Sequence, residues 1–134
     1  MPNLNYYDIQ KTIYDKLAGN SQLMAIISGI FDYPPQSAQF PFVMIDNPSS
    51  SNIPSLAELA KEYRFDINIF AREAGNKQVY DIIEIIYGLL HNGTVSVAGK
   101  TLIFIRCEGS SIELENDGWT YHGKLRLKIG LRDN

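Results

Sequence analysis

The chain has 134 residues, 45% hydrophobic and 20% charged, and Lys+Arg 12 against Asp+Glu 15 gives a net charge of -3. That length suits one compact domain, and the lack of a basic excess argues against a protein whose main affinity is for nucleic acid. No apolar run approaches the roughly 18 residues needed to span a bilayer, so no membrane partner is expected. The opening MPNLNYYDIQ has neither a basic segment nor an apolar core, so no secretory signal is expected either. The single cysteine, Cys107, excludes an internal disulfide and suits a reducing compartment. Its place in TLIFIRC reads as buried packing rather than a reactive thiol.

Tyr6, Ile9, Ile13 and Leu17 recur at helical spacing, and Gly19-Asn20 ends that helix, since both residues tolerate the left-handed conformation. A short second helix is expected over 21–27, with Ser21 as its N-cap. Residues 30–33 read as a brief strand closed by Pro34-Pro35, and 41–46 (PFVMID) as another. The Pro- and Ser-rich stretch that follows predicts a long loop at about 47–61, with one helical turn over 56–61. A connection of that length in a small domain is usually functional or mobile.

Residues 62–72 alternate with period two: Tyr63, Phe65, Ile67, Ile69 and Ala71 share one face, while Arg64, Asp66, Asn68 and Arg72 share the other. That pattern predicts a half-buried strand in an antiparallel sheet. Gly75-Asn76 opens the clearest helix, whose stripe is Val79, Ile82, Ile83, Ile86, Leu89 and Leu90, and Asn92-Gly93 ends it. Strands are expected at 95–97 and 101–107 around Ala98-Gly99-Lys100. Asp117-Gly118 then signals a two-residue hairpin. It pairs Leu114 with Tyr121 and Ile112 with Gly123 on one face, and Glu113 with His122 and Glu115 with Thr120 on the other. Matching Cys107 to Leu127 and Ile105 to Ile129 requires a one-residue slip, placed at Gly109-Ser110-Ser111. The expected fold class is α+β, a single domain over 1–134. In it a mainly antiparallel sheet of about four to six strands packs against an N-terminal and a central helix.

Catalysis or metal binding needs converging polar groups, and few candidates exist. HExxH, CxxC, GxSxG and the phosphate-binding GxxxxGK[ST] pattern are all absent from the sequence. His91 falls at a helix end, where it complements the dipole, and His122 on a solvent-side strand position. Asp32, Asp46 and Asp66 lie on or beside different strands, and their spacing does not ask for a metal. No catalytic, cofactor-binding or metal residue is therefore assigned, and no enzyme is expected.

The outward face of the last strand carries Lys124, Arg126 and Lys128, with Arg106 directly across from Lys128. Like charges this close call for an acidic partner. The candidates are Glu113 and Glu115 on the same hairpin, carboxylates of a neighbouring subunit, and DNA phosphates, and a subunit or partner interface is preferred. Trp119 is either a cross-strand packing residue or a partner anchor. With Asn47, Ser50, Ile53 and Leu56 of the 47–61 segment, these residues form the candidate partner or subunit interface.

The order of signals adds to this. IYDKLAGNSQL leads to GIFDYPPQ and FPFVMID; then come YRFDINIFARE, GNKQVYDIIEIIYGLLH, VSVAGKTLI and the closing GWTYHGKLRLKIGL. This succession resembles the tail-completion, or tail-terminator, family of long-tailed bacteriophages, prophages and gene-transfer particles, over about Ile9 to Leu131. Its most telling pieces are the strand after IFDYPP, the end of the central strand (NIFAR, with Phe70 where relatives often carry Trp) and the DGWxxHG segment. The resemblance implies a structural protein of the virion tail, made in the bacterial host cytoplasm. Six copies would close into a ring that caps the tube, ends its polymerisation and joins the head, while an isolated chain is compatible with a monomer. Implied partners are the major tail tube protein and a head-completion or connector protein, with DNA only passing through the channel; no cofactor is implied. The alternative from the residues alone is a small ligand-binding or enzymatic α+β domain with a site under the 47–61 loop.

Overall fold

The computed structural model describes residues 4–53, 60–72 and 75–134. In chain order the elements are helices α1 (Tyr6–Ala18) and α2 (Ser21–Met24), strands β1 (Ile30–Phe31), β2 (Phe42–Asn52) and β3 (Ala60–Ala71), helix α3 (Lys77–Leu90), and strands β4 (Lys100–Leu114) and β5 (Tyr121–Asp133). The strands form one sheet in the order β1-β2-β3-β5-β4. Only β1 with β2 is parallel; the other pairs are antiparallel. This is the expected α+β class.

The helices lie on one face because the periodicities agree. Ile9, Ile13 and Leu17 of α1 and Val79, Ile82, Ile86 and Leu90 of α3 are buried, whereas Ile83 and Leu89 of the expected stripe are only partly so. They meet the inward residues Tyr63, Phe65, Ile67 and Ile69 of β3 and Leu125, Leu127, Ile129 and Leu131 of β5. Gly123 lets α3 come close: a Cβ there would stand 2.7 Å from Val79 Cγ1.

The structure corrects several expectations. Helix α1 ends at Gly19, but in a right-handed conformation (φ -77°) rather than a left-handed one. Its closing amides already find Asp15 and Leu17 carbonyls, so no reversal of backbone hand is required. The cap of α2 is Asn20, not Ser21, because the Asn20 side chain accepts the Leu23 N–H at 2.8 Å. Strand β1 stops at Phe31. Residues 95–97 form no strand, although Val97 is buried; a turn closed by the Lys100 N–H on the Val97 carbonyl intervenes before β4.

The largest correction concerns the 47–61 loop. Strand β2 continues to Asn52, with Ser49, Ser50, Ser51 and Asn52 opposite Arg64, Tyr63, Glu62 and Lys61. A bulge between Asp46 and Ser49 absorbs Asn47, at φ 52°, and Pro48. Composition suggested loop because Pro lacks a ladder donor, but at a bulge that donor is not needed. Of the expected turn at 56–61, Ala60 and Lys61 are strand; the rest lies outside the described residues.

At the other end, the pairings Leu114↔Tyr121, Glu113↔His122 and Ile112↔Gly123 are as expected, as are Cys107↔Leu127 and Ile105↔Ile129. The turn between them is wider than two residues. Gly118, at φ 71°, donates to the Glu115 carbonyl, and Glu115 N–H bonds the Thr120 carbonyl around a four-residue loop. The slip falls between Cys107 and Gly109, making Glu108 the extra residue, and a second between Leu102 and Phe104 leaves Ile103 unpaired. The first is held in place by His91, whose Nδ1 accepts the Cys107 N–H at 3.1 Å while its ring stacks on Tyr87. His91 therefore acts through its ring nitrogen on β4 rather than as a charge at the helix end. Burial pushes the Cys107 thiol up to about 11, consistent with a packing role.

Replacing Ile82, which is fully buried, by Asp should place an unpaired charge between α3 and the sheet. A loss of about 3–5 kcal/mol is expected in urea unfolding monitored by circular dichroism. An unchanged midpoint would show that α3 does not dock on this sheet.

Candidate assembly surface

The sheet face away from the helices is ordered in cross-strand rows, because β3 and β5 pair without interruption from Ala60↔Arg132 to Ala71↔Tyr121. At one end Phe42, Phe70 and His122 stand side by side. Phe42 and Phe70 stack at 5.2 Å, Phe70 and His122 at 4.5 Å, and Phe31 and Phe40 close on Phe42 at 5.9 and 5.2 Å. Beside them the Arg72 guanidinium lies between the rings of Phe40 and Trp119, at 4.2 and 4.4 Å from their centroids. Its Nε donates to Thr120 Oγ1 at 2.8 Å, and its NH2 is 3.7 Å from Asp117 Oδ2. Trp119 itself packs one face against Arg72 and remains 59% exposed.

Asp117 organises this corner. Its carboxylate accepts the N–H groups of Trp119 and Thr120 at 2.8 Å each and the Thr120 hydroxyl at 2.6 Å. These bonds, led by the Thr120 hydroxyl and backbone, hold its pKa down at about 2.

The next rows are polar. Asp46 stands directly across from Asp66, a like-charge pair that would be unfavourable alone. The neighbours answer it. Asn47 Nδ2 donates to Asp66 at 2.9 Å, Asn68 Nδ2 to Asp46 at 2.8 Å, and Lys124 and Arg126 lie 3.9 and 3.8 Å from Asp66. With its amide nitrogen so used, Asn68 offers its oxygen to His122 Nε2 at 2.7 Å, and His122 Nδ1 lies 3.1 Å from Glu115. Farther along, Lys128 reaches Glu62 at 2.9 Å and Glu108 at 3.3 Å, and Arg64 reaches Glu62 at 3.2 Å. The Lys128 ammonium, ahead of the Ser51 hydroxyl, lowers the Glu62 pKa. Arg106, across from Lys128 as expected, stacks on Phe104 at 4.3 Å.

The acidic partners of the cation row therefore come chiefly from β3. Glu113 and Glu115, two of the candidates considered, are not the main partners: β3, whose place beside β5 the hairpin register could not show, supplies Asp66 and Glu62. Of the other residues singled out, Asn47 joins the Asp66 network. Ser50 faces the helices instead and accepts the Tyr6 hydroxyl at 2.9 Å. Ile53 donates its N–H to the Ala60 carbonyl, and Leu56 lies outside the described residues. Phe40, Phe42, Asn68 and Arg72 were not anticipated. Period-two placement of Phe70 and Arg72 on one face was the available signal, but stacking against β2 and the hairpin needs the sheet order.

Among the described residues no group of three or more His, Cys, Asp or Glu is arranged to hold a metal ion, and no helix is long and apolar enough to cross a membrane. The family described as "Tail completion protein gp17" matches residues 11–132. The fold is similar to a chain of the virion of a native gene transfer agent particle, with TM-score 0.83 and 12% identity over 92% of this chain and 94% of that one. It is also similar to the bacteriophage SPP1 gp17 protein, with TM-score 0.68 and 18% identity over 98% of this chain and 93% of that one. No curated protein sequence matches.

As the chain has one tryptophan, its emission reports the Asp117 corner. A depressed carboxylate contributes above its ordinary value, here 3.8, and its contribution is lost as pH falls through about 2. Trp119 emission should stay constant down to about pH 4 and change below it. In Asp117→Ala the altered emission should already be present at pH 7. Identical titrations of the two proteins would show that Asp117 does not hold the corner.

Proposed function

Because this chain belongs to the tail-completion protein gp17 family, a family of structural phage tail proteins rather than enzymes, we propose how it serves a tailed particle. It caps the tail tube at the head-tail junction as a ring of six copies, ends tube polymerisation and presents the surface that joins the head. The single observation that carries this reading is the family match over nearly the whole chain. The likeness of fold to chains of a gene transfer agent virion and of SPP1 accords with it. Its partners are further copies of itself, the major tail tube protein and a head-completion or connector protein, with DNA passing through the channel. Deleting the gene should give tails of uncontrolled length without heads in negative-stain micrographs. Normal tail lengths with heads attached would remove the role.

The outward sheet face and the connection bearing Ile53 and Leu56 supply partner contacts. Within that face the cations are unequal. Lys128, with a side chain only 17% exposed, is engaged by two glutamates, whereas Arg126 is 59% exposed and held only loosely by Asp66. Of the three cations on β5, Arg126 is thus the one most available to a partner carboxylate, and Trp119 is the matching apolar anchor. Arg126→Gln, which adds no negative charge beside Asp66 and leaves Asn47 and Lys124 on it, should keep the melting curve near that of the parent while docking onto tube ends weakens about tenfold, more so at low salt. Lys128→Glu should instead lower stability. Unimpaired docking of Arg126→Gln at every salt concentration would leave this face as plain surface.

A further inference from the structure

A ring whose copies meet head to tail needs two different patches on each chain. The sheet has two open edges, β1 and β4, at opposite ends of its strand order, and they differ in chemistry. Strand β4 is a 15-residue edge without a proline. Free edges invite indiscriminate pairing unless they are bent or charged. Here two bulges interrupt β4, so the edge offers side chains in place of a flat ladder. Ile103, the extra residue of the bulge between Leu102 and Phe104, has no partner on β5 and is 40% exposed. Three residues farther along, Arg106 is exposed and has no ion-pair partner among the described residues.

The β1 edge has the opposite character. Strand β1 spans only two residues, and beside it α1 leaves a groove of about 460 Å³ whose walls include Tyr7, Tyr14, Ile30, Phe31, Asp32 and Ile45. Its floor is apolar and aromatic. Asp15 at its rim is already paired with Lys11 at 3.0 Å, but Asp32 is exposed and has no ion-pair partner among the described residues. One edge thus presents an unpaired apolar residue and an unmatched arginine; the other presents an apolar groove and an unmatched aspartate.

We propose that the β4 edge of one copy docks in the α1–β1 groove of a second copy, with Ile103 in the groove and Arg106 against Asp32. The contact uses two distinct patches of the same chain, so it propagates head to tail instead of stopping at a dimer, and it makes a ring when the rotation between successive copies closes the circle. It rests on the ring reading above and specifies which surfaces close that ring. Association through so small a patch is weak for one pair and strengthens when several copies dock together on a tube end.

The test uses the full-length protein on assembled tails. Cys107, the only native cysteine, is buried, so Ile103→Cys combined with Tyr14→Cys in one chain adds the only accessible thiols. Mild oxidation should give a ladder of cross-linked chains longer than a dimer, absent from either single variant. Independently, Asp32→Arg should reduce the protein bound to tails about tenfold, and adding Arg106→Asp to the same chain should restore it. If rings form on tails without cross-links, and the charge changes neither harm nor rescue, this contact is overturned while the ring reading stands. If the protein caps tails without forming any ring, both are overturned.

Discussion

Asp66 is only 7% exposed, in the middle strand of the sheet, with the like charge of Asp46 opposite it. An unpaired carboxylate there would cost several kcal/mol, so its surroundings are constrained. Asn47 must turn into the left-handed region at a bulge to bring its amide over. Asn68 must take up Asp46, and β5 must hold a register that sets Lys124 and Arg126 alongside. A one-residue slip of β5 would turn these cations toward the helices and the leucines toward water. The polar network and the apolar core thus specify the same register from opposite faces.

The same register sorts the outward face by chemistry. Aromatic rings gather at one end, where Phe42, Phe70 and His122 stack and Arg72 ties Phe40 to Trp119. Charged groups occupy the rest, mostly neutralised within the chain. Such a face suits assembly better than catalysis. Most of its acids and bases already satisfy one another, and what stays available is an exposed indole, the loosely held guanidinium of Arg126 and the exposed Arg106. Anchors of this kind bind little as single contacts and gain strength when several subunits dock at once.

Local rules identified the elements with one clear period or one strong turn signal: α1, α3, β3 and the closing hairpin with its pairings. They misjudged β2 beyond Asp46, where Pro48 and three serines resemble a loop until β3 is known to run alongside. They also made a strand of 95–97, which has the right residues but no partner. A strand is defined by its neighbour, and a neighbour distant in sequence leaves no local trace.

What the sequence determined by itself was the pair of periodicities, the hairpin register and, through the order of its segments, the resemblance to tail-completion proteins. These are properties of consecutive residues, because side-chain direction follows from backbone period. Only the tertiary structure decided that β3 lies beside β5. From that follow the acids that answer Lys124, Arg126 and Lys128, and the two sheet edges left open. Non-local strand order reflects how the whole apolar surface is best buried, and no window of the chain contains that information.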